Sequence, residues 1–386
     1  MVPYARALRA RGHQVVLATG ARFGDMVRRA GLDHAPAGLD HDGSADVFQS
    51  LPEWPSILGR YPDLAIAQLH GFVEGLAPRM LADLLPLVER WRPDVVVRDP
   101  VEVGGYVAAE RAGIPHGTVC WAIYIGLQQA ATAALAALRA RHGLAGEPGL
   151  ASLDRFLLLS ALPPSWPYPG CPVAQVLHRF QFPPFDASGD EPLPGWVARG
   201  NRPVVYVTLG TTFNQAPRTF RALLAALEGE DVQAVLTVGR SVDPAVLGSV
   251  PVNVRVARYI PQSLLLPHCD AIVFHGGFNS VHSALWHGLP MVLVPLGAGD
   301  QIWNARRCQE LGAGVVVEGQ PPDPEAVRHA IRAILREPGP RFRARALQAE
   351  MRSLPGLDAA VELLERLGRT QEPQLAAAPR GPSRPS

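Results

Sequence analysis

Short apolar runs alternate with stretches of helical period along most of the chain. In the first half, residues 15–18, 94–99 (D-V-V-V-R-D) and 117–120 read as strands. A helix-like segment at 4–11 precedes the first of these, and an amphipathic helix around 81–91 precedes the second. In the second half the runs 204–209, 234–238, 254–259, 271–274, 291–294 and 314–317 are rich in Val, Ile and Leu. A helix or a Gly/Pro turn separates each from the next. Continuous apolar strands are buried on both faces. Their alternation with helices predicts α/β architecture, with parallel sheets covered on both sides. Residues 340–367 read as one or two further helices, with Leu347, Met351 and Leu354 at buried spacing.

The pattern breaks at 182–202, where Pro183, Pro184, Pro192, Pro194, Gly195 and Gly200 gather. The expected organisation is a first unit over 1–185, a linker over 186–202, a second unit over 203–369 and a disordered tail over 370–386. A length of 386 residues fits two or three domains. The 47% hydrophobic and 18% charged content supplies a sizeable core and excludes global disorder. With 36 Lys plus Arg against 35 Asp plus Glu, the chain lacks the basic excess that a broad nucleic-acid surface needs. Cys120, Cys171, Cys269 and Cys308 lie far apart with no C-x-x-C, which favours reduced thiols and a cytoplasmic location. No secretory leader is expected at the start. The Ala-rich segment 119–138 carries Gln128, Gln129 and Thr132 and reads as a soluble helix, not a membrane span.

The richest chemistry lies in A-I-V-F-H-G-G-F-N-S-V-H-S-A-L-W-H-G (271–288). A buried strand ends, Gly276 and Gly277 let the backbone turn, and Asn279 or Ser280 can cap a new helix. Val281, Ala284 and Leu285 give that helix a buried stripe, and Gly288 with Pro290 ends it. Free N–H groups and the positive helix end form an anion site, with His275 able to add a hydrogen bond. The bland alternative is an ordinary strand-to-helix turn with a structural His. Two neighbours weigh against it. T-L-G-T-T (208–212) closes another strand, and P-L-G-A-G-D-Q (295–301) delivers Asp300 and Gln301 into a loop suited to sugar hydroxyls. All three loops come after parallel strands, so all belong to the sheet edge where open α/β folds bind ligands.

H-G-G-F-N-S, then A-L-W-H-G-L-P-M-V-L-V-P, then G-D-Q resembles the donor signature of the family-one glycosyltransferases. R-Y-I-P-Q-S-L-L-L (258–266) matches the family's Pro-Gln segment. The resemblance is strongest over residues 192–335. It implies two doubly wound Rossmann-like domains facing a cleft, the GT-B fold, as in macrolide and other natural-product glycosyltransferases. Bacterial members often carry H-G-G-x-G-T; the Phe-Asn-Ser version here is closer to the glucuronosyltransferase branch. By this resemblance His275, Gly276, Gly277, Asn279 and Ser280 hold the diphosphate of a UDP- or dTDP-sugar, with Gly210 and Thr211 adding a phosphate contact. Gln262 meets the base, and Asp300 and Gln301 hold the sugar. The implied reaction is inverting transfer of a hexose to a hydroxyl of a hydrophobic small molecule, with no metal and no cofactor beyond the nucleotide sugar. The helix tip and His275 take the place of a metal in stabilising the leaving diphosphate.

The family begins with a strand, then G-H-x-x-P, a helix, R-G-H-x-V and a second strand. Here M-V-P-Y-A-R-A-L-R-A-R-G-H-Q-V supplies the helix, Gly12, His13 and the second strand. The register puts the catalytic His and the first strand before Met1, so Met1 is expected to be an internal methionine. That first strand belongs in the middle of a doubly wound sheet, so the 15–18 strand is expected to lack its central neighbour. Each buried backbone group left unpaired costs roughly 1–3 kcal/mol. A chain without it should show negligible transfer. His13 sits at the helix exit in a structural role. Asp99 matches the family's aspartate that orients the catalytic His and stabilises the imidazolium, or else serves as a helix cap or loop charge. A non-catalytic nucleotide-sugar-binding protein and a sugar-nucleotide epimerase are the competing functions. His282 and His287, five apart, do not suit zinc on a helix. Trp54, Phe72, Trp121 and Tyr124 are candidates for an acceptor pocket or plain core.

Overall fold

The computed structural model describes residues 1–41, 47–120, 131–146, 152–167, 173–186, 192–197, 200–211, 215–240, 242–297 and 300–376. In the first half β1 (Val16–Thr19) pairs in parallel with β2 (Asp33–Pro36). A separate parallel sheet holds β3 (Val96–Arg98), β4 (His116–Cys120), β5 (Leu157–Ser160) and β6 (Leu177–Arg179), in the order β3-β4-β5-β6. Among the described residues β1 pairs only with β2, and β3 only with β4. Each therefore presents one open edge. The residues of β1 are only partly buried, unlike those of the strands Val204–Thr208, Ala271–Phe274 and Met291–Leu293 in the second half.

The second half contains β7 (Val204–Thr208), β8 (Gln233–Thr237), β9 (Val254–Ala257), β10 (Ala271–Phe274), β11 (Met291–Leu293) and β12 (Gly314–Val316). They form one parallel sheet in the order β12-β11-β10-β7-β8-β9. Because side chains alternate across a strand, β7 feeds two cores. Val204 and Tyr206 join Phe274, Val281, Leu285 and Met351 on one face. Val205 and Val207 join Phe220, Leu224, Val327 and Ile331 on the other. Helices Phe278–Trp286 and Pro338–Arg352 cover the first face, and Pro217–Leu227 and Pro324–Arg336 cover the second.

Packing does not keep to the order of the chain. Helix Leu357–Thr370, grouped by sequence with the second half, buries Ala360, Leu364 and Leu367 against Leu157, Leu159 and Tyr4 of the first. In return, Leu162 and Trp166 enter the core of the six-stranded sheet. Arg307 fixes that crossing. Its guanidinium donates to the carbonyls of Ser165 at 2.7 Å, Trp166 at 2.7 Å and Pro167 at 3.0 Å. Residues 371–376, expected to fall in the disordered tail, instead pack on the first half. The Gln374 N–H bonds the Phe156 carbonyl, the Ala376 N–H bonds that of Gln175, and the Gln374 side chain is buried. Residues 377–386 lie outside the described residues. No helix among the described residues is long and apolar enough to cross a membrane.

Candidate active site

The chain leaves β7 towards β8 and β9 on one side, then returns with β10 on the other side of β7. Where the direction of winding reverses, two neighbouring loops diverge and leave a crevice beyond the strand ends. Gly210 lies just past β7 and His275 comes directly after β10, so both stand at that crevice. The loop after β11 runs beside them.

The two strand ends approach closely because both carry glycine. A Cβ on Gly210 would lie 2.6 Å from His275 Cε1, and one on Gly277 would collide with Nε2 of the same ring. Gly210 and Gly276 also have positive φ, at 79° and 89°. His275 is thus held edge-on between two bare backbones. Its Nδ1 is buried without a hydrogen-bond partner among the described residues. Burial pushes the imidazole down to about 4, so it is neutral near pH 7 and keeps one ring N–H and one acceptor.

Helix Phe278–Trp286 opens on this ring. The sequence points to Asn279 or Ser280 as its cap, but Gly277 holds that position, extended at φ −63° and ψ 142°, and offers no side-chain cap. Asn279 and Ser280 are the second and third helical residues, the former exposed and the latter buried. The tip is capped from outside. Asp300 Oδ2 accepts the Phe278 N–H at 3.0 Å and the Asn304 Nδ2–H at 2.5 Å. Burial raises the Asp300 pKa, and those two donors oppose the rise. Asn304 Nδ2 also donates to the Gly276 carbonyl at 3.0 Å, tying the loop to the helix entrance. Gln301 is 1% exposed, and its Oε1 accepts the Leu296 N–H at 2.8 Å. Asp300 and Gln301 therefore shape the loop in this structure, a use the sequence does not suggest. The signal for Asn304 is its place one helical turn after Asp300 in D-Q-I-W-N.

Gln262 reaches the same helix, its Nε2 donating to Ser280 Oγ at 3.0 Å. Thr211 is exposed beside Gly210. The structure thus gathers Gly210, Thr211, Gln262, His275, Gly276, Gly277, Asn279, Ser280, Asp300 and Gln301 around one strand-to-helix turn.

Asp99 stands apart, at the end of β3 on the other sheet. Its Oδ1 accepts the Val101 N–H at 3.0 Å. Arg98 steadies this loop by donating to the carbonyls of Asp99 at 3.1 Å, Pro100 at 3.2 Å and Leu153 at 3.1 Å. The amino end of helix Val2–Ala10 faces Asp99: burial lowers the Met1 α-amino pKa and Asp99 opposes that shift. His13 pairs with Glu365 at 3.0 Å on the surface. His282 is buried against Phe182, Phe278 and Trp286. Trp54 and Phe72 pack on Phe48 at ring separations of 5.0 and 5.1 Å, in a local core. Trp121 and Tyr124 lie outside the described residues.

Comparison with known proteins bears on this arrangement. Two profiles match: "Erythromycin biosynthesis protein CIII-like, N-terminal domain" over residues 6–155, and the corresponding C-terminal domain over 221–367. The chain is 32% identical to 4'-demethylrebeccamycin synthase of Lentzea aerocolonigenes, over 95% of this chain and 96% of that protein. It is 32% identical to L-demethylnoviosyl transferase of Streptomyces niveus, over 92% and 95% of the two chains. Among solved structures it resembles glycosyltransferase VinC in complex with dTDP at TM-score 0.75, with 28% identity and 96% coverage of both chains. It also resembles glycosyltransferase SsfS6 of Streptomyces sp. SF2575, complexed with thymidine diphosphate, at TM-score 0.74, 28% identity and 95% coverage of both.

Proposed function

The chain belongs to the erythromycin biosynthesis protein CIII-like family of natural-product glycosyltransferases, with the GT-B fold, and from that premise we propose that it moves a hexose from a dTDP- or UDP-sugar to a hydroxyl of a hydrophobic small molecule, with inversion. The observation that carries the reading is the buried, neutral His275 with an unpartnered Nδ1, packed against Gly210 and Gly277 at the head of a helix whose N-cap residue supplies no side chain. Such a site suits a diphosphate, because backbone N–H groups, the helix dipole and a ring N–H converge on one place. Two structural relatives crystallised with thymidine diphosphate favour thymine as the base.

In this mechanism the acceptor oxygen attacks the anomeric carbon as the bond to the diphosphate oxygen breaks. By the family resemblance the acceptor's proton passes to a histidine base, and Asp99 is the carboxylate that stabilises the imidazolium formed. The leaving diphosphate takes the bonding electrons, and the helix tip with His275 stabilises its growing charge. No metal has a part in these steps. Asp300 and Gln301 border the site of the sugar, and the donor's arrival redirects the Asp300 carboxylate from the Phe278 N–H towards sugar hydroxyls.

The test is a donor panel. TDP-, UDP-, CDP- and ADP-hexoses are incubated with polyketide and macrolactone alcohols and a protein that also carries the family's first strand and G-H-x-x-P loop, and release of free nucleotide is measured. Acceptor-dependent release from TDP- or UDP-sugars alone supports the reading. Release from the purine donor, or release independent of any acceptor, contradicts it. EDTA should leave TDP affinity unchanged by calorimetry; a loss restored by Mg²⁺ overturns the metal-free mechanism.

A further inference from the structure

One large apolar side chain is left half-exposed on the helix Gln301–Glu310, which begins beside the crevice at Asp300. Gln301, Asn304, Ala305 and Cys308 turn inward and are buried. Trp303 is 54% exposed, although an indole offers more apolar area for burial than almost any other side chain. Two fixed neighbours set its direction. Residues three and four apart share a helix face, so Trp303 lies on one stripe with Asp300 and Arg307. Asp300 is held at the crevice by the Phe278 N–H at 3.0 Å. Arg307 turns the same stripe to the first half, where it donates to the carbonyls of Ser165, Trp166 and Pro167. Every Cα–Cβ bond also tilts towards the start of its helix. Trp303 therefore projects from the side that faces the first half and leans towards Asp300, at the mouth of the crevice. Ile302, 37% exposed, lies about 100° further round the helix and points away from that stripe.

We propose that Trp303 is a specificity-determining residue for the donor: its indole is the platform on which the hexose ring rests while the Asp300 carboxylate takes sugar hydroxyls. The inference rests on the nucleotide-sugar reading of the site. A hexose carries hydroxyls at its rim and C–H groups on its two faces. A site that grips it needs a polar group for the first and an apolar plane for the second. Asp300 and Trp303, three residues apart on one helix face, supply both. A diphosphate at His275 and the tip of the 278–286 helix places the sugar next to Asp300, whose carboxylate borders that tip. The sugar then covers the indole, and apolar area open in the free protein leaves water when the donor binds. A nucleoside diphosphate without its sugar does not reach the indole, so this gain belongs to the sugar alone.

The experiment is calorimetric titration of TDP, TDP-glucose and TDP-rhamnose into the wild type, Trp303→Ala, Trp303→Phe and Ile302→Ala. In Trp303→Ala the hexose donor that the wild type binds more tightly should weaken about tenfold, while TDP stays within twofold of wild type. Trp303→Phe keeps an aromatic plane and should hold that donor within threefold; a phenylalanine as weak as alanine overturns the proposal. Ile302→Ala should leave all three ligands within twofold. Equal losses of TDP and hexose donor in Trp303→Ala, or a matching loss in Ile302→Ala, mark a change in the whole helix and overturn it as well. So do hexose-donor affinities within twofold of wild type in Trp303→Ala; if TDP still binds, the nucleotide site stands and only the role of Trp303 falls. If the wild type fails to bind TDP, both readings fall together. Should Trp303→Ala not fold, Trp303→Leu keeps apolar bulk without the aromatic plane. It should then show the same selective loss of the hexose donor, and its absence overturns the proposal equally.

Discussion

At the residue scale His275, the proposed diphosphate contact, carries a pH signature. Its folded-state pKa of about 4 lies below the ordinary histidine value of 6.5, so the unfolded chain takes up a proton first as pH falls. Stability is complete above about pH 6.5 and declines towards pH 4, by roughly 2 kcal/mol at about pH 5 from this group. Urea unfolding at these pH values should show the decline, and His275→Asn should remove about that much of it. An undiminished pH slope in the variant contradicts the burial argument. Paired with Ser280→Ala, His275→Ala should weaken TDP at least a hundredfold, since charge-assisted hydrogen bonds contribute about 1.5–3 kcal/mol each. Gly210→Ala forces a Cβ against the ring at positive φ and should cost about 1–3 kcal/mol of stability as well as donor affinity. Such residues are legible because H-G-G-F-N-S keeps glycine, imidazole and hydroxyl within six positions. Asn304 is not, because its part depends on contacts with Gly276 and Asp300 that only the folded loop creates.

At the scale of elements, every run of Val, Ile and Leu in the second half forms a strand, within two residues at either end. The first half is less legible. β2 (D-H-A-P) is polar and ends in proline, as only an edge strand tolerates, and β6 has three residues. β5 (L-L-L-S) is buried throughout, and a four-residue run carries no period to tell strand from helix. The last helix shows the limit of reading by neighbourhood. Its stripe Ala360, Leu364 and Leu367 is visible in the sequence, but its partner sheet lies some two hundred residues earlier. Leu364→Ala and Leu367→Ala should each cost about 2–5 kcal/mol, as buried large-to-small changes do. TDP affinity of the folded variants should stay within twofold of wild type, because these side chains pack on β5 and not on the β7–β10 crevice. A matching loss of TDP affinity would show that the helix serves the donor site directly.

At the scale of the molecule, two parallel sheets exchange segments: 161–167 enters one core and the 357–370 helix enters the other. The halves are thereby tied at two points while their strand ends remain available for ligands. Asp99 stands at the end of β3 and His275 at the end of β10, one on each half, as a reaction between two bound molecules requires. The proposed transfer depends on where the donor's phosphates sit. A crystal structure of the protein grown with TDP measures that directly. Both phosphate groups should lie between His275, Gly210 and the first turn of the 278–286 helix, within hydrogen-bond distance of Ser280 Oγ. Phosphates bound elsewhere, with the Asp300 carboxylate still accepting the Phe278 N–H, would contradict it.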